Sequence, residues 1–320
     1  MRGQYLVKGK RMASTKRGDP FLVVTLSDRT GDIEAKVWER VEELNPLFKE
    51  GDVLEVEGHA SSYRDQLQLT LSTLKSVMEV GDPSLFLEVT RKDIPKMIGS
   101  LREVLKAIRH SRVRALVEGF LSDRQFMSLF KQAPAAKHFH HSYIGGLLEH
   151  TLSVCEMARM VLIHYPDLDG DLLLAGAFLH DVGKVKELRW GRSIDYTDEG
   201  RLMGHLTLGV SMIDDRLAAL GDFPKEISLR LKHLVLSHHG EYEFGSPKRP
   251  KFLEAFALHL IDDLDAKMNG LGRFMEKDKQ AGDWTDFNRL FERYFLKGKI
   301  PPEQRPEAST EERQQGLFSE

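Results

Sequence analysis

The apolar positions change their period partway along the chain. Between residues 1 and 78 they alternate with polar ones or come in short runs: FLVVTLSD (21–28), IEAKVWE (33–39), DVLEVEGHA (52–60) and QLQLTLSTLKSV (66–77). A period of two marks strands that bury one face. Arg29-Thr30-Gly31-Asp32 reads as a hairpin turn, Lys49-Glu50-Gly51-Asp52 as the break before a later strand, and VEELNPLF between them as a short helix. From about residue 92 the spacing turns helical, in IPKMIGSLREVLKAIRH, VRALVEGFLSD and YIGGLLEHTLSVCEMARMVLIHY, and it stays so to about residue 296. Gly81-Asp82-Pro83 marks the junction, and the polar, proline-bearing last two dozen residues predict a disordered tail. The expected organisation is a β-domain over 1–78, a linker and helical region over 79–134, a second helical domain over 135–296 and a tail over 297–320.

A chain of 320 residues, 41% hydrophobic and 30% charged, has enough apolar material for two folded domains and argues against wholesale disorder. There is no run of 18 apolar residues, and MRGQYLVKGKRMASTKRGD lacks the apolar centre of a signal peptide, so a cytoplasmic protein with no membrane span is expected. The net charge of -3 gives no global pull on polyanions; a nucleic-acid partner would need a local basic surface. Cys155 is the one cysteine, which excludes an intrachain disulfide and a thiolate-rich zinc site. Any metal must then rely on nitrogen and oxygen ligands, and thirteen histidines could supply the nitrogen.

Three positions on predicted helices carry ligand chemistry: His150 in GGLLEHT, His180-Asp181 in AFLHDVGK, and Asp262 in LHLIDDLDAK. Neutral imidazoles and carboxylates suit divalent Mn, Fe, Co, Ni or Zn. Read in order they spell H, HD, D, which resembles the HD superfamily of metal-dependent phosphohydrolases. The resemblance implies that these four groups share one ion. Asp263 and Asp265 are alternatives to Asp262, but the D-x-x-D-A spacing from Asp262 to Ala266 resembles the family signature with its first aspartate as ligand. His205 in LMGHLTLG and His238-His239 in LSHHGEYEFGSP resemble the added histidines of the superfamily's two-metal members. On that likeness Asp181, His205, His238 and His239 hold a second ion, with Asp181 as the bridge. Two ions can activate water and neutralise phosphoryl oxygens during in-line displacement. Lys184 is a candidate phosphate contact, and Lys184 or His205 could assist the leaving oxygen. His138, His140 and His141 read equally as an exposed loop or as substrate contacts, while His110, His164 and His233 match nothing.

Five short strands with a helix after the third is the layout of an OB barrel, and GDPFLVVTLSDRTGDIEAKVWE resembles the OB-type nucleic-acid-binding family. Such barrels hold single strands by stacking over a basic groove, for which Phe21, Trp38, Tyr63, Lys8, Lys10, Lys16 and Arg17 are candidates; the competing reading puts Phe21 and Trp38 in the barrel core. Lys248 and Arg249, in a loop beyond the second ion's ligands, could touch a nucleic-acid backbone. The expected fold class is thus a five-stranded OB-type barrel followed by an all-α HD-type domain. HHSYIGGLLEHTLSV, GAFLHDVGKVKEL, LSHHGEYEFGSPKRP and EAFALHLIDDLDAKM, following such a barrel, resemble the bacterial YhaM-type 3'-to-5' exoribonucleases. That likeness implies single-stranded RNA, or single-stranded DNA, entering a manganese-preferring two-metal site and leaving as nucleoside 5'-monophosphates. The alternatives are an HD-type nucleotide or cyclic-nucleotide phosphohydrolase, though the Gly-Tyr-Pro signature of the cyclic-dinucleotide type is absent from HHGEYEFGSP, and a non-catalytic nucleic-acid-binding regulator. Two partner expectations complete the reading. Gln314, Leu317 and Phe318 fit the Q-x-x-L-F pattern of peptides that enter a sliding clamp, and the helices near 92–130 could join copies into a homo-oligomer.

Overall fold

Alternation of apolar side chains closes the first 77 residues into a barrel. The structure is a computed structural model; it describes residues 1–63, 66–77 and 81–298, and of Tyr63 and Gln66 the backbone alone. Its strands are β1 (Arg2–Ser14), β2 (Pro20–Asp28), β3 (Gly31–Val37), β4 (Val53–Tyr63) and β5 (Gln66–Val77), ordered β1-β2-β3-β5-β4 around the closed sheet. All pairings are antiparallel except β3 with β5, which run parallel from Glu34↔Gln68 to Lys36↔Thr70. Val7, Leu22, Val24, Leu26, Ala35, Val37, Leu54, Val56, Leu69 and Leu71 fill the interior. Closure removes the exposed sheet edges that would otherwise pair with other chains. Between β3 and β4 a single turn of helix, α1 (Val41–Leu44), and a 3-10 turn (Asn45–Leu47) bring Val41 and Phe48 against that interior.

The helical part comprises α2 (Ile94–Leu105), α3 (Ser111–Leu121), α4 (Arg124–Phe130), α5 (Gly146–His164), α6 (Gly170–Leu179), α7 (Lys184–Glu187), α8 (Asp198–Leu220), α9 (Lys225–Ser237) and α10 (Leu253–Lys277). Asp93, Asp123 and Asp169 cap α2, α4 and α6 by accepting backbone N–H groups that have no partner within the helix. Every residue of α6 from Leu172 to Leu179 is buried, so this helix runs through the middle of the domain. Phe178 meets Phe120 and Phe130 edge-on at ring-centre separations of 6.2 and 6.0 Å. The apolar faces of α2, α3 and α4 go into this same core, where Met97, Leu101, Leu116 and Phe126 join Leu147 and Leu173.

Two features differ from the pattern-based expectation. A hairpin, β6 (Leu188–Trp190) with β7 (Ile194–Tyr196), stands in the helical region, its strands too short to show a period. Helical structure also stops at Lys277 rather than near residue 296. Residues 278–298 are turns joined by the bridges Trp284↔Leu296 and Asn288↔Arg293. Asn288 Oδ1 accepts the backbone N–H groups of Leu290 and Phe291 there, the local side-chain competition that keeps asparagine out of helix interiors. Residues 1–270 pack as one compact unit, and the described residues from Leu271 on belong to another. Gln314, Leu317 and Phe318 lie outside the described residues.

Inside α8, Gly204 adopts φ 73° and ψ 159°, a conformation open in practice to glycine alone, and the break brings the next residue, His205, into the interior. A Gly204→Ala variant should lose about 1–3 kcal/mol of stability, the usual strain of such a residue. Urea unfolding checks this, and an unchanged midpoint would show that the kink is not required.

Candidate metal centre and nucleic-acid surface

Helix ends and one helix kink deliver the ligand-type side chains to a single place. His150 comes from within α5, and His180 and Asp181 follow directly on α6. His205 follows the kink of α8, His238 and His239 follow directly on α9, and Asp262 projects from α10. His150 Nε2 lies 3.1 Å from His180 Nε2 and 3.1 Å from Asp262 Oδ1. His205 Nε2 lies 3.2 Å from His239 Nε2. Asp181 stands between the two groups. Its Oδ2 is 3.4 Å from the Nε2 atoms of both His150 and His180, while its Oδ1 is 3.5 Å from His205 Nε2 and 3.6 Å from His238 Nε2.

The far side of each ring settles which nitrogen faces inward. His180 Nδ1 donates to Ala177 O at 2.8 Å, His238 Nδ1 to Val235 O at 2.8 Å and His239 Nδ1 to Phe244 O at 3.0 Å. His150 Nδ1 is 2.7 Å from Asp265 Oδ2, and His205 Nδ1 is 3.0 Å from Glu187 Oε1. All five acceptors are oxygens, so all five rings carry a proton on Nδ1 and leave Nε2 as the inward atom; in four of them, His239 being the exception, it lies within 3.6 Å of an Asp181 oxygen.

Lone pairs and carboxylates packed this closely repel unless a cation lies among them. Neither oxygen of the buried Asp181 makes a hydrogen bond of sound geometry, although the Lys184 ammonium is 2.6 Å from Oδ2. Ligand bonds of about 2.1 Å place neighbouring donor atoms about 3.0 Å apart in an octahedron and about 3.4 Å in a tetrahedron, close to the spacings here. Burial pushes the Asp181 and Asp262 carboxyls up, but their cationic and imidazole neighbours, Lys184 first for Asp181 and His150 first for Asp262, hold both well below the usual range. Burial, with His205 alongside, lowers His239 to about 4, and burial also holds His238 well below its ordinary value. His150 is driven the other way: against the effect of burial, Asp181, Asp262 and Asp265 favour positive charge on it. A divalent ion at its Nε2 meets that demand. The donor set therefore fits a divalent metal centre.

The supporting residues were less visible in the sequence. Asp265 carries the His150 ring and also accepts from His141 Nε2 at 2.9 Å, while His141 Nδ1 meets the Tyr143 hydroxyl at 2.8 Å. Its three-residue spacing from Asp262 was the available signal, since it puts both on one helix face. Glu187, which accepts both the backbone N–H and Nδ1–H of His205, sits in an ordinary charged stretch, KVKELRW, and gave none. His141 is thus a supporting residue, and the His140 ring lies 5.4 Å from that of His150; His138 is exposed.

On the barrel, Phe21 and Trp38 are absent from the core. They stack on each other with ring centres 4.4 Å apart, and Trp38 keeps 44% of its surface exposed. Exposed Lys16 and Arg17 lie in the β1–β2 turn, beside the Ala13↔Phe21 and Ser14↔Pro20 pairs. Lys10 is committed elsewhere: its ammonium donates to the carbonyls of Asn45 and Phe48 and sits 4.1 Å from the Phe48 ring centre. Lys8 pairs with Asp32 at 2.6 Å. Arg249 pairs with Glu241 at 2.6 Å and lies over Tyr242, while Lys248 is exposed. The side chain of Tyr63 lies outside the described residues.

Removing a carboxylate that orients a ligand histidine commonly lowers metal affinity by about 10- to 100-fold. Glu187→Ala should do this, as read by competition with a fluorescent chelator for manganese; an affinity equal to that of the unaltered protein would mean that His205 is not part of the centre.

The HD domain family model matches residues 147–267, and the OB-fold nucleic acid binding domain model matches residues 5–77. The curated 3'-5' exoribonuclease YhaM of Geobacillus sp. (strain WCH70) is 38% identical over 284 residues, 88% of this chain and 86% of that protein. The one from Bacillus subtilis (strain 168) is 36% identical over 286 residues, 88% of this chain and 90% of that protein. In Bacillus pumilus (strain SAFR-032) the figures are 38% over 290 residues, 89% and 90%. These likenesses take in the barrel and the ligand-bearing helices together, and the chain belongs to the YhaM 3'-5' exoribonuclease family.

Proposed function

We propose that this chain is a metal-dependent exoribonuclease that shortens single-stranded RNA from its 3' end and releases nucleoside 5'-monophosphates, with single-stranded DNA a further polymer that the barrel admits. The observation that carries the reading is the position of Asp181, one oxygen toward His150 and His180 and the other toward His205 and His238. The barrel and the family relationship favour a polymer over a free nucleotide. His150, His180, Asp181 and Asp262 would hold one ion, and Asp181, His205, His238 and His239 the other, manganese in both places. Two such ions, when bound, polarise the phosphodiester and activate water for in-line displacement.

The remaining tasks fall to the protein. Asp265 and Glu187 keep the Nε2 atoms of His150 and His205 unprotonated and aimed, which fixes the geometry before substrate arrives. Lys184 adds positive charge beside the scissile phosphate. His205 has its Nδ1 proton committed to Glu187 and its Nε2 turned inward, so its role is to hold metal rather than to deliver a proton. Water oxygen joins phosphorus, the bond from phosphorus to the 3'-oxygen breaks, and that oxygen takes up a proton to leave a new 3'-hydroxyl on the shortened strand. Upstream, the Phe21–Trp38 pair offers an aromatic surface on which a base can stack, flanked by Lys16 and Arg17.

With 5'-labelled single-stranded RNA and manganese, the unaltered protein should yield a ladder of shorter products, and a chelator should stop it. Asp181→Ala should give no shortening while binding the RNA within about threefold of normal, a control that the barrel's contacts survive. Activity above a tenth of normal would remove Asp181 from its shared position. Trp38→Ala should cost about 1–3 kcal/mol of single-strand binding, about 5- to 150-fold in affinity. Fluorescence anisotropy reads this, and unchanged affinity would place the strand elsewhere on the barrel.

A further inference from the structure

The β6–β7 hairpin links two parts of the molecule that the proposed function requires to cooperate. It begins at the residue after Glu187, the group that orients His205. Its base is fastened there: Thr197 N donates to Glu187 O at 2.9 Å and Thr197 Oγ1 to Lys186 O at 2.7 Å. At the turn of the hairpin, Arg192 Nη1 donates to Asp52 Oδ1 at 3.2 Å and to Gly51 O at 3.3 Å, just before β4 of the barrel. The hairpin thus runs from the metal centre to the barrel.

Its charges are unbalanced. Lys137 Nζ, Arg201 Nη2 and Arg189 Nη2 approach the single carboxylate of Asp195 at 2.8, 3.2 and 3.5 Å. Among the groups in contact, one carboxylate offsets one of these three charges and leaves two, the next acids along the chain being Asp198 and Glu199 in the first turn of α8. Lys137 alone would satisfy Asp195. The arginines add mutual repulsion, which a polyanion would relieve. Arg189 and Arg201 keep 66% and 57% of their side chains exposed, with most of their N–H donors available. The Tyr196 ring lies 5.7 Å from Lys137 Nζ and adds an aromatic face. Lys137 is also close to the reaction site along the chain: two residues, and at most about 11 Å of extended backbone, separate it from His140, whose ring neighbours that of His150.

We infer that Lys137, Arg189 and Arg201, gathered by Asp195, form a phosphate-binding rail that carries single-stranded RNA from the barrel to the metal centre. The inference rests on the exoribonuclease reading for its substrate. The excess charge supplies affinity without sequence preference, and the fastening of the hairpin at both ends fixes the path that the strand follows.

The test uses the full-length protein carrying Arg189→Gln and Arg201→Gln, two exposed positions, beside a separate Asp195→Asn variant. Binding of a 20-nucleotide RNA is measured with a chelator present, so that it does not depend on catalysis, over a range of salt. The double variant should bind about tenfold more weakly, and its plot of log affinity against log salt should be shallower by about 1.4, the sum for two lost single-strand phosphate contacts. Asp195→Asn should bind more tightly than the unaltered protein, because it frees a third charge. If the ion pairs only fasten the hairpin, Asp195→Asn weakens binding or leaves it unchanged and the double variant keeps the original salt slope, and the rail is overturned. With manganese restored, the double variant should raise KM for the 20-mer more than it lowers kcat, and should lose at least fivefold more kcat/KM on the 20-mer than on a dinucleotide too short to reach the rail. Equal losses on the two substrates would also overturn it. An unaltered protein that binds RNA with the expected salt slope but shortens neither substrate would refute the exoribonuclease reading and leave the binding test of the rail standing.

Discussion

A buried carboxylate that must stay ionised is the constraint around which this molecule is arranged. Asp181 is almost wholly removed from water, its oxygens lack well-formed hydrogen bonds, and the nearest permanent cation is the Lys184 ammonium. An isolated carboxylate in such a place would take up a proton. It is kept charged by converging positive charge, the Lys184 ammonium first, while the imidazole nitrogens around it favour a further cation. The same feature that would be a liability in an ordinary core is what the proposed sharing of Asp181 between two ions needs.

The surrounding fold supplies rigidity at that point. The helix α6, buried from Leu172 to Leu179, ends at the His180-Asp181 pair, so packing of Phe178 and its aromatic neighbours fixes that pair from behind. Gly183 allows the next turn to press against α8, where an added Cβ would stand 2.1 Å from the carbonyl of His205. Gly204 breaks α8 at the position that brings His205 inward. His259 Nδ1 donates to His238 O at 2.8 Å and ties the end of α9 to α10, the helix that carries Asp262. Side chains fixed by backbone acceptors and close helix contacts lose little freedom when an ion binds.

The ligand-type residues were legible in the sequence because adjacent pairs such as His180-Asp181 and His238-His239 need no knowledge of the fold to be recognised. Their supports were not. Glu187 meets His205 across 18 residues, and nothing in its local spacing points there. The strand β1 was hidden because only Val7 along it is buried, and its outward positions carry lysines and arginines. Lys10 read as a candidate for the polyanion, yet its charge is turned onto two backbone carbonyls, an outcome decided by the path of the chain after β3. Phe21 and Trp38 left two readings open, core or surface; the barrel fills its interior with aliphatic residues and leaves the aromatic pair outside. Helical spacing after residue 277 was overridden by side chains that take the backbone's hydrogen bonds.

The barrel and the metal centre are joined by more than sequence, since Arg192 ties the hairpin that follows Glu187 to the loop before β4. Recognition of a strand and reaction at its end can therefore share one compact unit, and the proposed reaction has its focus at Asp181. The most direct test of that focus is anomalous diffraction from crystals of the protein grown with manganese. The account predicts two peaks about 3.5–4 Å apart, one beside each oxygen of Asp181. A single peak, or two peaks that do not share Asp181, would contradict it.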